Sequence, residues 1–266
     1  MIVYFSATGN SKYIAERAAA VLGEETVSIS DRCRAGRFDI SPTPGESLVF
    51  ISPVYFWGLP SIVNDFFEKM ELKTGSSDGS SDGNSAGSGN HYVCCVLTYG
   101  SFTGGAQMYM ARALSKKGLK LQGRFAVRMV DTWTPLFDCS DSENNRHKTE
   151  TAEPKIDRVI NMIQKKTTGS FNHCRGFYLS SYIARLLYST ARVTRKFRVK
   201  NSCIGCGLCA EQCPMKAIKI ISEKPIWTKK KCCLCLGCLH RCPADAIVYG
   251  HSTEGRGQFV NPHAFK

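Results

Sequence analysis

The first part of the chain alternates short apolar runs with stretches of helical periodicity. Apolar runs of strand length lie at residues 2–5, 26–29, 48–51, 92–97 and 125–130. Segments whose apolar residues recur every three or four positions lie at residues 11–22, 62–70, 105–117 and 155–165. Strands that alternate with helices are typical of a parallel sheet covered on both faces. We therefore predict a doubly wound α/β domain with five parallel strands over residues 1–168.

Further patterns define four more segments of the chain, one of them inside the α/β domain. Residues 74–90 are rich in Gly, Ser, Asp and Asn, and we predict a flexible insertion because nothing apolar there offsets the entropy of ordering it. Residues 169–199 are predicted to form a basic connecting helix packed between two domains, with a membrane-surface helix as the alternative. The apolar side of that helix consists of Leu179, Tyr182, Ile183, Leu186 and Leu187. Residues 200–250 form a compact cysteine-rich module, and residues 251–266 a tail.

The cysteine-rich module contains the same spacing twice, C-x2-C-x2-C-x3-C followed by proline. The two runs are Cys203, Cys206, Cys209, Cys213 and Cys232, Cys235, Cys238, Cys242. Three thiolates spaced in this way on a tight loop can each reach a different iron of a 4Fe-4S cube, and the fourth turns toward the other cluster. The spacing therefore predicts two 4Fe-4S clusters.

The crossed arrangement assigns each predicted cluster a set of four ligands. The first cysteine set is Cys203, Cys206, Cys209 and Cys242, and the second cysteine set is Cys232, Cys235, Cys238 and Cys213. Zinc is the alternative metal, but zinc sites need two separated pairs of ligands. We expect Cys233, which breaks the spacing to Cys235, to be a bystander. The module resembles the two-cluster bacterial ferredoxins over its whole length, which implies an α+β fold and electron transfer.

The remaining sequence features bear on the cellular compartment. The chain of 266 residues begins in an apolar run with no charged leader, and no stretch is apolar enough to span a membrane. Disulfide scaffolds are short and secreted, whereas clustered cysteines in a reducing compartment more often bind metal. We therefore expect a cytoplasmic protein without an integral membrane segment.

The positive charge is concentrated in one region. The formal net charge is +13, and residues 175–231 contain 13 Lys and Arg against Glu211 and Glu223. Nucleic acid is the usual partner of such a stretch. Clusters held by thiolates carry negative charge that offsets part of the excess, so we expect no nucleic acid partner. An acidic redox protein, such as a small ferredoxin or flavodoxin, is the partner that this charge favours.

The loop after the first strand contains Ser6, Thr8, Gly9, Asn10 and Ser11 and opens the first helix. A helix amino terminus offers unpaired N–H groups and a positive dipole end, which suit a phosphate. Hydroxyl and amide side chains can add hydrogen bonds, and Gly9 permits close approach of the backbone. We predict that this loop binds the phosphate of FMN.

Two later loops complete the predicted FMN site. They contain Pro53, Tyr55, Trp57 and Gly58 after the third strand, and Thr98, Tyr99 and Gly100 after the fourth. In the strand order 2-1-3-4-5, all three loops meet at the carboxyl ends of the strands, at the switch point. Trp57 and Tyr99 can stack on a flat tricyclic ring. The alternative is that these two aromatic side chains pack the edge of the domain.

These loops resemble those of flavodoxins, and the whole chain resembles the flavodoxin–ferredoxin fusions known as EFR1 family ferredoxins. The resemblance implies a flavodoxin-like doubly wound sheet followed by a small two-cluster ferredoxin domain, and an iron-sulfur flavoprotein that passes electrons between two 4Fe-4S clusters, FMN and a redox partner. One alternative is an FMN-dependent reductase of a small organic acceptor, fed by its own clusters. Another is a non-redox sensor whose cluster state controls a partner. No histidine spacing indicates a catalytic base.

Overall fold

A computed structural model describes residues 1–73, 91–172 and 178–265 of the chain. The predicted flexible insertion at 74–90, residues 173–177 and the side chain of Leu179 lie outside the described residues.

Helices and strands alternate along the amino-terminal part. In chain order its elements are β1 (Ile2–Tyr4), α1 (Asn10–Leu22), β2 (Thr26–Ser28), α2 (Ile29–Ala35), β3 (Asp39–Ile40), β4 (Leu48–Pro53), α3 (Ser61–Lys69), β5 (Glu71–Leu72), β6 (Val93–Tyr99), α4 (Ala106–Ser115), β7 (Gly123–Arg128), α5 (Ser142–Gln164), β8 (Gly169–Ser170) and α6 (Tyr178–Ala191). The remaining elements are a single 3₁₀ turn (Thr194–Lys196), β9 (Phe197–Val199), α7 (Leu208–Glu211), β10 (Ile218–Ile221), β11 (Lys224–Trp227), α8 (Gly237–His240) and β12 (Ile247–Tyr249).

The central sheet has the strand order β2-β1-β4-β6-β7-β8, and every pair in it is parallel. Its first five strands are the five predicted from the apolar runs, in the predicted order, so the doubly wound α/β prediction is confirmed. The sixth strand, β8, has two residues and pairs with the start of β7. A small separate pair, β3 with β5, was not predicted from the sequence.

Alternating side chains of the strands build a core on each face of the sheet. Val3 and Phe50 face one core, whereas Ile2 and Val49 face the other. The adjacent Cys94 and Cys95 are both fully buried and point to opposite faces. They point to opposite faces because successive side chains of a strand alternate between the two faces of the sheet.

Helix α5 begins thirteen residues before the predicted helix at 155–165. Its first half is polar and gives no apolar periodicity, but Asp141 accepts a hydrogen bond from the Asn144 N–H and caps its start. Pro154 lies inside the helix, where proline removes one backbone hydrogen bond. Buried Ile156 and Ile160 pack the second half against the sheet and offset that loss.

Helix α2 was not predicted, although its start carries a capping signal. The Ser28 hydroxyl accepts a hydrogen bond from the Asp31 N–H, and Gly36 closes the helix with a left-handed φ of 68°. Only Ile29 of its residues is buried, so the helix lacks the apolar periodicity on which the prediction relied. A serine followed by an acidic residue at this spacing is the signal that indicates the helix.

The cysteine-rich module is built from two antiparallel strand pairs, β10 with β11 and β9 with β12. Phe197 stacks on Trp227 with ring centroids 4.7 Å apart, and Tyr249 packs against Phe197 edge-on. The connecting helix predicted within residues 169–199 ends at Ala191 in the structure. Its last residues instead form β9, because Phe197 is needed in the core of the module.

The α/β domain and the module pack against each other through buried hydrogen bonds. His240 of α8 contacts the Thr132 carbonyl oxygen at 2.8 Å through Nε2, while its Nδ1 accepts from the Phe259 N–H. Residues after β12 return to the α/β domain, where the Asn261 N–H donates to the Thr8 carbonyl oxygen at 2.7 Å. No helix in the described parts of the chain is long and apolar enough to cross a membrane.

Candidate functional site

A large cavity lies at the carboxyl ends of the central strands, where the loops after β1, β4, β6 and β7 meet. Its volume is about 1690 Å³, including the space open to solvent. The sequence-predicted residues that line it are Ser6, Thr8, Asn10, Ser11, Pro53, Tyr55, Trp57, Thr98, Tyr99 and Gly100. Gly9 and Gly58 are not among the lining residues. The three predicted loops therefore do converge on one place, which we call the loop cavity.

The loop after β1 is held in shape by its own hydroxyl groups. Ser6 Oγ accepts a hydrogen bond from the Gly9 N–H at 3.1 Å. Gly9 has a φ of 99°, a conformation that L side chains rarely adopt, and helix α1 begins directly after it. Ser11 Oγ and Thr98 Oγ1 lie 2.8 Å apart, which joins this loop to the end of β6. The loop is thus fixed from two sides at a helix amino terminus, where an anion is favoured.

The side-chain amide of Asn10 makes two hydrogen bonds that the sequence did not indicate. Its Nδ2 donates to the Val130 carbonyl oxygen at 3.1 Å, and its Oδ1 accepts from Asn261 Nδ2 at 3.1 Å. A Cβ on Gly9 would lie 2.8 Å from the Cβ of Ala264. The predicted tail therefore packs over the loop after β1, and the amide of Asn10 joins that segment to the α/β domain.

The loop after β4 contains a strained turn. Tyr55 and Gly58 form a bridge, and the two residues between them, Phe56 and Trp57, both have positive φ angles of 48° and 56°. Such a turn normally carries Asn and Gly, since a bulky residue at positive φ costs about 1–2 kcal/mol. Gly104 lies close beside Trp57, because a Cβ there would lie 2.2 Å from the Trp57 Cβ. The surrounding structure therefore holds an aromatic residue at the wall of the cavity at a local energetic cost.

The loop after β7 adds lining residues that the sequence analysis missed. Asp131 and Trp133 both line the loop cavity, and Trp133 packs edge-on against Phe56 with centroids 5.1 Å apart. Burial raises the pKa of the Asp131 carboxyl, while the hydrogen bond that its Oδ1 accepts from the Trp133 N–H opposes that shift. The signal that could have found these residues is their position after the fifth predicted strand, at the same edge of the sheet.

Two smaller cavities lie in the cysteine-rich module. One, of about 360 Å³ with its open space, is lined by all four members of the first cysteine set. The other, of about 480 Å³, is lined by all four members of the second cysteine set, together with Cys209 and Cys233. The fold thus brings the fourth cysteine of each run to the cavity of the other run. In the described residues no three His, Cys, Asp or Glu side chains converge closely enough to hold a single metal ion.

Matching backbone hydrogen bonds point at the fourth cysteine of each run. The Ala217 N–H donates to Cys213 Sγ and the Ala246 N–H donates to Cys242 Sγ, both at 3.3 Å. Each donor follows its cysteine by four residues, so the two runs repeat in local structure as well as in spacing. Hydrogen bonds to sulfur are a means by which proteins tune bound thiolates.

Cys235 lines two cavities. It lies at the wall of the second cysteine set's cavity, and with Leu234 and Leu236 it also lines the loop cavity. No member of the first cysteine set lines the loop cavity among the residues that the structure describes. The second cysteine set is therefore the one adjacent to the loop cavity.

The cysteines outside the two runs lie away from these cavities, apart from Cys233. Cys139 is buried, and this burial is the largest cause of the rise in the pKa of its thiol to about 11. Cys33 is half-buried, and burial likewise raises its pKa to about 11. Cys174 lies outside the described residues. None of the described ones has the lowered pKa that activates a nucleophilic thiol.

Comparison with known protein families agrees with this architecture. The flavodoxin domain family matches residues 1–144, and the 4Fe-4S dicluster domain family matches residues 202–247. No curated protein matches the chain.

Two solved structures align with part of the chain. The Trp repressor binding protein of Bacillus subtilis is 12% identical, with 64% of this chain and 99% of that one covered and a TM-score of 0.34. The general stress protein 14 of Treponema denticola, solved in complex with FMN, is 11% identical, with 61% and 97% covered and a TM-score of 0.33.

The family matches and the strand order lead to one assignment. The flavodoxin match spans more than half of the chain, and the dicluster match coincides with the doubled cysteine run. The chain therefore belongs to the flavodoxin domain family, and it joins that domain to a 4Fe-4S dicluster domain as the EFR1 family of flavodoxin–ferredoxin fusions does.

Proposed function

We propose that the protein is an electron-transfer iron-sulfur flavoprotein that holds one FMN in the loop cavity and two 4Fe-4S clusters in the cysteine-rich module. The observation that carries the proposal is the position of Cys235, which lines both the loop cavity and the cavity of the second cysteine set. Bound clusters would supply one-electron transfer and bound FMN either one- or two-electron transfer.

The residues of the loop cavity fit FMN. The phosphate would lie at the amino terminus of α1, where Ser6 and Thr8 line the cavity and can donate their hydroxyl protons to an anion. Trp57 and Tyr99 would flank the ring system. Asn10 would act on the phosphate only indirectly, because its amide already bonds Val130 and Asn261.

The residues of the two smaller cavities fit clusters of iron and sulfide. Each cavity is surrounded by four thiols from two separate loops, instead of being closed around one point as a zinc site is. We therefore propose that the first and second cysteine sets each bind one 4Fe-4S cluster. Cys233 remains a proposed bystander, although it lines the same cavity as the second set.

The arrangement supports an order of electron transfer along the protein. The second cysteine set lies beside the loop cavity, whereas the first set includes the exposed Cys206 and the exposed Ile204 lies in its loop. We propose that a redox protein exchanges electrons at the first set, and that the second set connects it to the flavin site. An acidic carrier in a reducing compartment such as the cytoplasm suits the basic surface and the free thiols.

Cofactor content under anaerobic conditions tests this proposal directly. We expect about eight iron, eight acid-labile sulfide and one FMN per chain. The absorbance spectrum should show both flavin and cluster bands. Stoichiometric zinc without acid-labile sulfide, or an absence of flavin after reconstitution, would refute the proposal.

A further inference from the structure

The loop cavity is lined by more residues than the proposed FMN site uses. Part of its wall consists of residues to which the proposed FMN site gives no role. We call this part the outer wall, and it consists of Phe102, Trp133, Leu136, Phe137, Ile183 and Leu187.

The outer wall is apolar and reaches the mouth of the cavity. Leu136 is 67% exposed, Ile183 is 55% exposed and Leu187 is 57% exposed. Side chains of this size at the rim of a concave site offer contact area to an apolar ligand that reaches it from solvent.

Helix α6 holds its part of the outer wall in place. On its inner side, Ser181 Oγ accepts a hydrogen bond from the Gly105 N–H at 2.9 Å. The guanidinium of Arg185 lies 4.4 Å from the centroid of the Tyr109 ring, and Tyr188 is buried. These contacts fix helix α6 to the α/β domain. Ile183 and Leu187, which lie one turn apart on this helix, therefore hold their positions in the outer wall.

The charged side chains that line the cavity restrict the charge of a ligand in its outer part. Among the described residues that line it, Asp131 is the one charged side chain, and no Lys, Arg or His is present. An anionic ligand in the outer part would lack a counter-charge and would face the Asp131 carboxyl. Burial of an unpaired anion is costly, so the site disfavours organic acids and the pyrophosphate of a dinucleotide.

We infer that the outer wall of the loop cavity binds a neutral, planar, apolar electron acceptor of the quinone class. The inference rests on the proposed function and names the acceptor that the protein reduces beside its flavin site. The acceptor would insert between α6 and the segment that contains Trp133 and Leu136, with aromatic and aliphatic side chains against its faces.

The reaction balances with components that the proposal names. The quinone gains two electrons and two protons, and its two carbonyl oxygens become the hydroxyls of a hydroquinone. The electrons come one at a time from a reduced low-potential carrier protein, which is oxidised twice. Water supplies both protons.

Equilibrium binding to the oxidised holoprotein tests the inference without turnover. The probe is a dimethyl-naphthoquinone, whose ring has no free position for a thiol to attack. Titration calorimetry under anaerobic conditions should show saturable binding at one site. The hydroxy-methyl analogue, which is an anion at neutral pH, should bind at least about tenfold more weakly, because the cavity offers it no cation.

Helix α6 supplies matched variants. Ile183→Glu and Leu187→Glu place a charge in the outer wall and should weaken dimethyl-naphthoquinone binding by about tenfold or more. Tyr182→Glu and Leu186→Glu make the same change on exposed positions of the same helix that do not line the cavity, and should change binding less than twofold. All four substitutions introduce a good helix former at an exposed position, so folding should be retained.

The outcomes separate the inference from the function on which it rests. Unchanged affinity in the Ile183 and Leu187 variants, equal loss in all four variants, or equal binding of the anion would each overturn the inference. Equal loss of binding in all four variants would indicate that the whole apolar face of α6 is a docking surface for a membrane or a partner. FMN, iron and sulfide measured on the same samples report on the proposed function separately.

Discussion

The hydroxyl of Tyr188 donates a hydrogen bond to the carbonyl oxygen of Cys233, 2.7 Å away. The same hydroxyl accepts a hydrogen bond from the Ser61 N–H at 3.1 Å. Tyr188 is buried and lies on α6, so a single side chain connects the start of α3 in the flavodoxin domain with the loop of the second cysteine set. The two domains are thereby linked beside the residue that lines both cavities.

Tyr188→Phe tests this link. The substitution keeps the ring but leaves the Ser61 N–H and the Cys233 carbonyl unpaired, so we expect the free energy of unfolding to fall by about 1–3 kcal/mol. Urea unfolding followed by flavin fluorescence and by cluster absorbance should also show the two transitions moving apart. Coincident transitions with unchanged stability would show that the hydroxyl contributes nothing to domain coupling.

The crossed ligand sets predict opposite effects for two equivalent substitutions. Cys213→Ala should damage the cluster of the second set, and Cys242→Ala should damage the cluster of the first set, because each cysteine lines the other run's cavity. Electron paramagnetic resonance of the reduced variants measures this, since magnetic coupling between two clusters disappears when one is lost. Only the Cys213 variant should also disturb the flavin spectrum, through the loop of Cys235.

Cys233→Ala is the control for the crossed ligation. Cys233 lines the same cavity as the second set but lies outside the repeated spacing. We expect both clusters and their magnetic coupling to survive in this variant. If Cys233→Ala removed a cluster while Cys232→Ala did not, Cys233 would replace Cys232 in the second cysteine set.

The sequence was most informative where a local pattern alone determines the structure. The five apolar runs predicted the first five parallel strands of the central sheet, and the cysteine spacing predicted two sets of thiols that each line one cavity. The sequence did not indicate contacts between residues that are far apart along the chain. Nothing local to Asn10 indicates its bond to Asn261, and nothing local to Trp133 indicates its contact with Phe56. Pro154 lies inside α5 because tertiary packing of that helix outweighs the cost of one lost hydrogen bond.

Trp57→Asn should separate flavin affinity from stability. Asn tolerates the positive φ of this position, so relief of about 1–2 kcal/mol of strain offsets the loss of the ring's packing. We expect the unfolding free energy of the apoprotein to change by less than about 1 kcal/mol, while FMN affinity falls about tenfold through the loss of stacking. Trp57→Phe keeps an aromatic face and should retain most of the affinity. Equal FMN affinity in the Asn variant would place the ring elsewhere.

Asn261→Ala tests the contact between the carboxy-terminal segment and the loop after β1. Asn261 is 1% exposed, and its removal leaves the buried Oδ1 of Asn10 without its partner, at a cost of about 1–3 kcal/mol. We expect weaker FMN binding with full cluster content. Gln258→Ala is the matched control, because the Gln258 amide instead donates to the carbonyl oxygens of Leu239 and Cys242. It should affect the clusters and spare FMN affinity, and the reverse pattern would contradict the assignment.

Two of the three lysines in the basic surface at Lys229–Lys231 also form hydrogen bonds to backbone oxygens within the protein. Lys229 Nζ donates to the Met215 carbonyl oxygen at 2.6 Å, and Lys231 Nζ donates to the Ser189 carbonyl oxygen at 2.9 Å. Both ammonium groups remain exposed enough to contribute to the field around the module. A carrier that docks there would experience the charge of all three lysines even though two of them are also bound to backbone oxygens.

Charge reversal of Lys229, Lys230 and Lys231 to Glu should therefore slow reduction by an acidic carrier protein and flatten its dependence on salt. Steering by charge raises encounter rates by roughly 10- to 1000-fold at low ionic strength and is screened as salt increases. The same reversal at Lys116, Lys117 and Lys120, beyond the carboxyl end of α4 in the flavodoxin domain, makes an equal change in net charge and should leave the salt dependence intact. Stopped-flow rates with a small neutral donor control for damage to the clusters. Should the Lys229–Lys231 variant keep the full salt dependence, or the control variant lose it equally, the docking surface lies elsewhere.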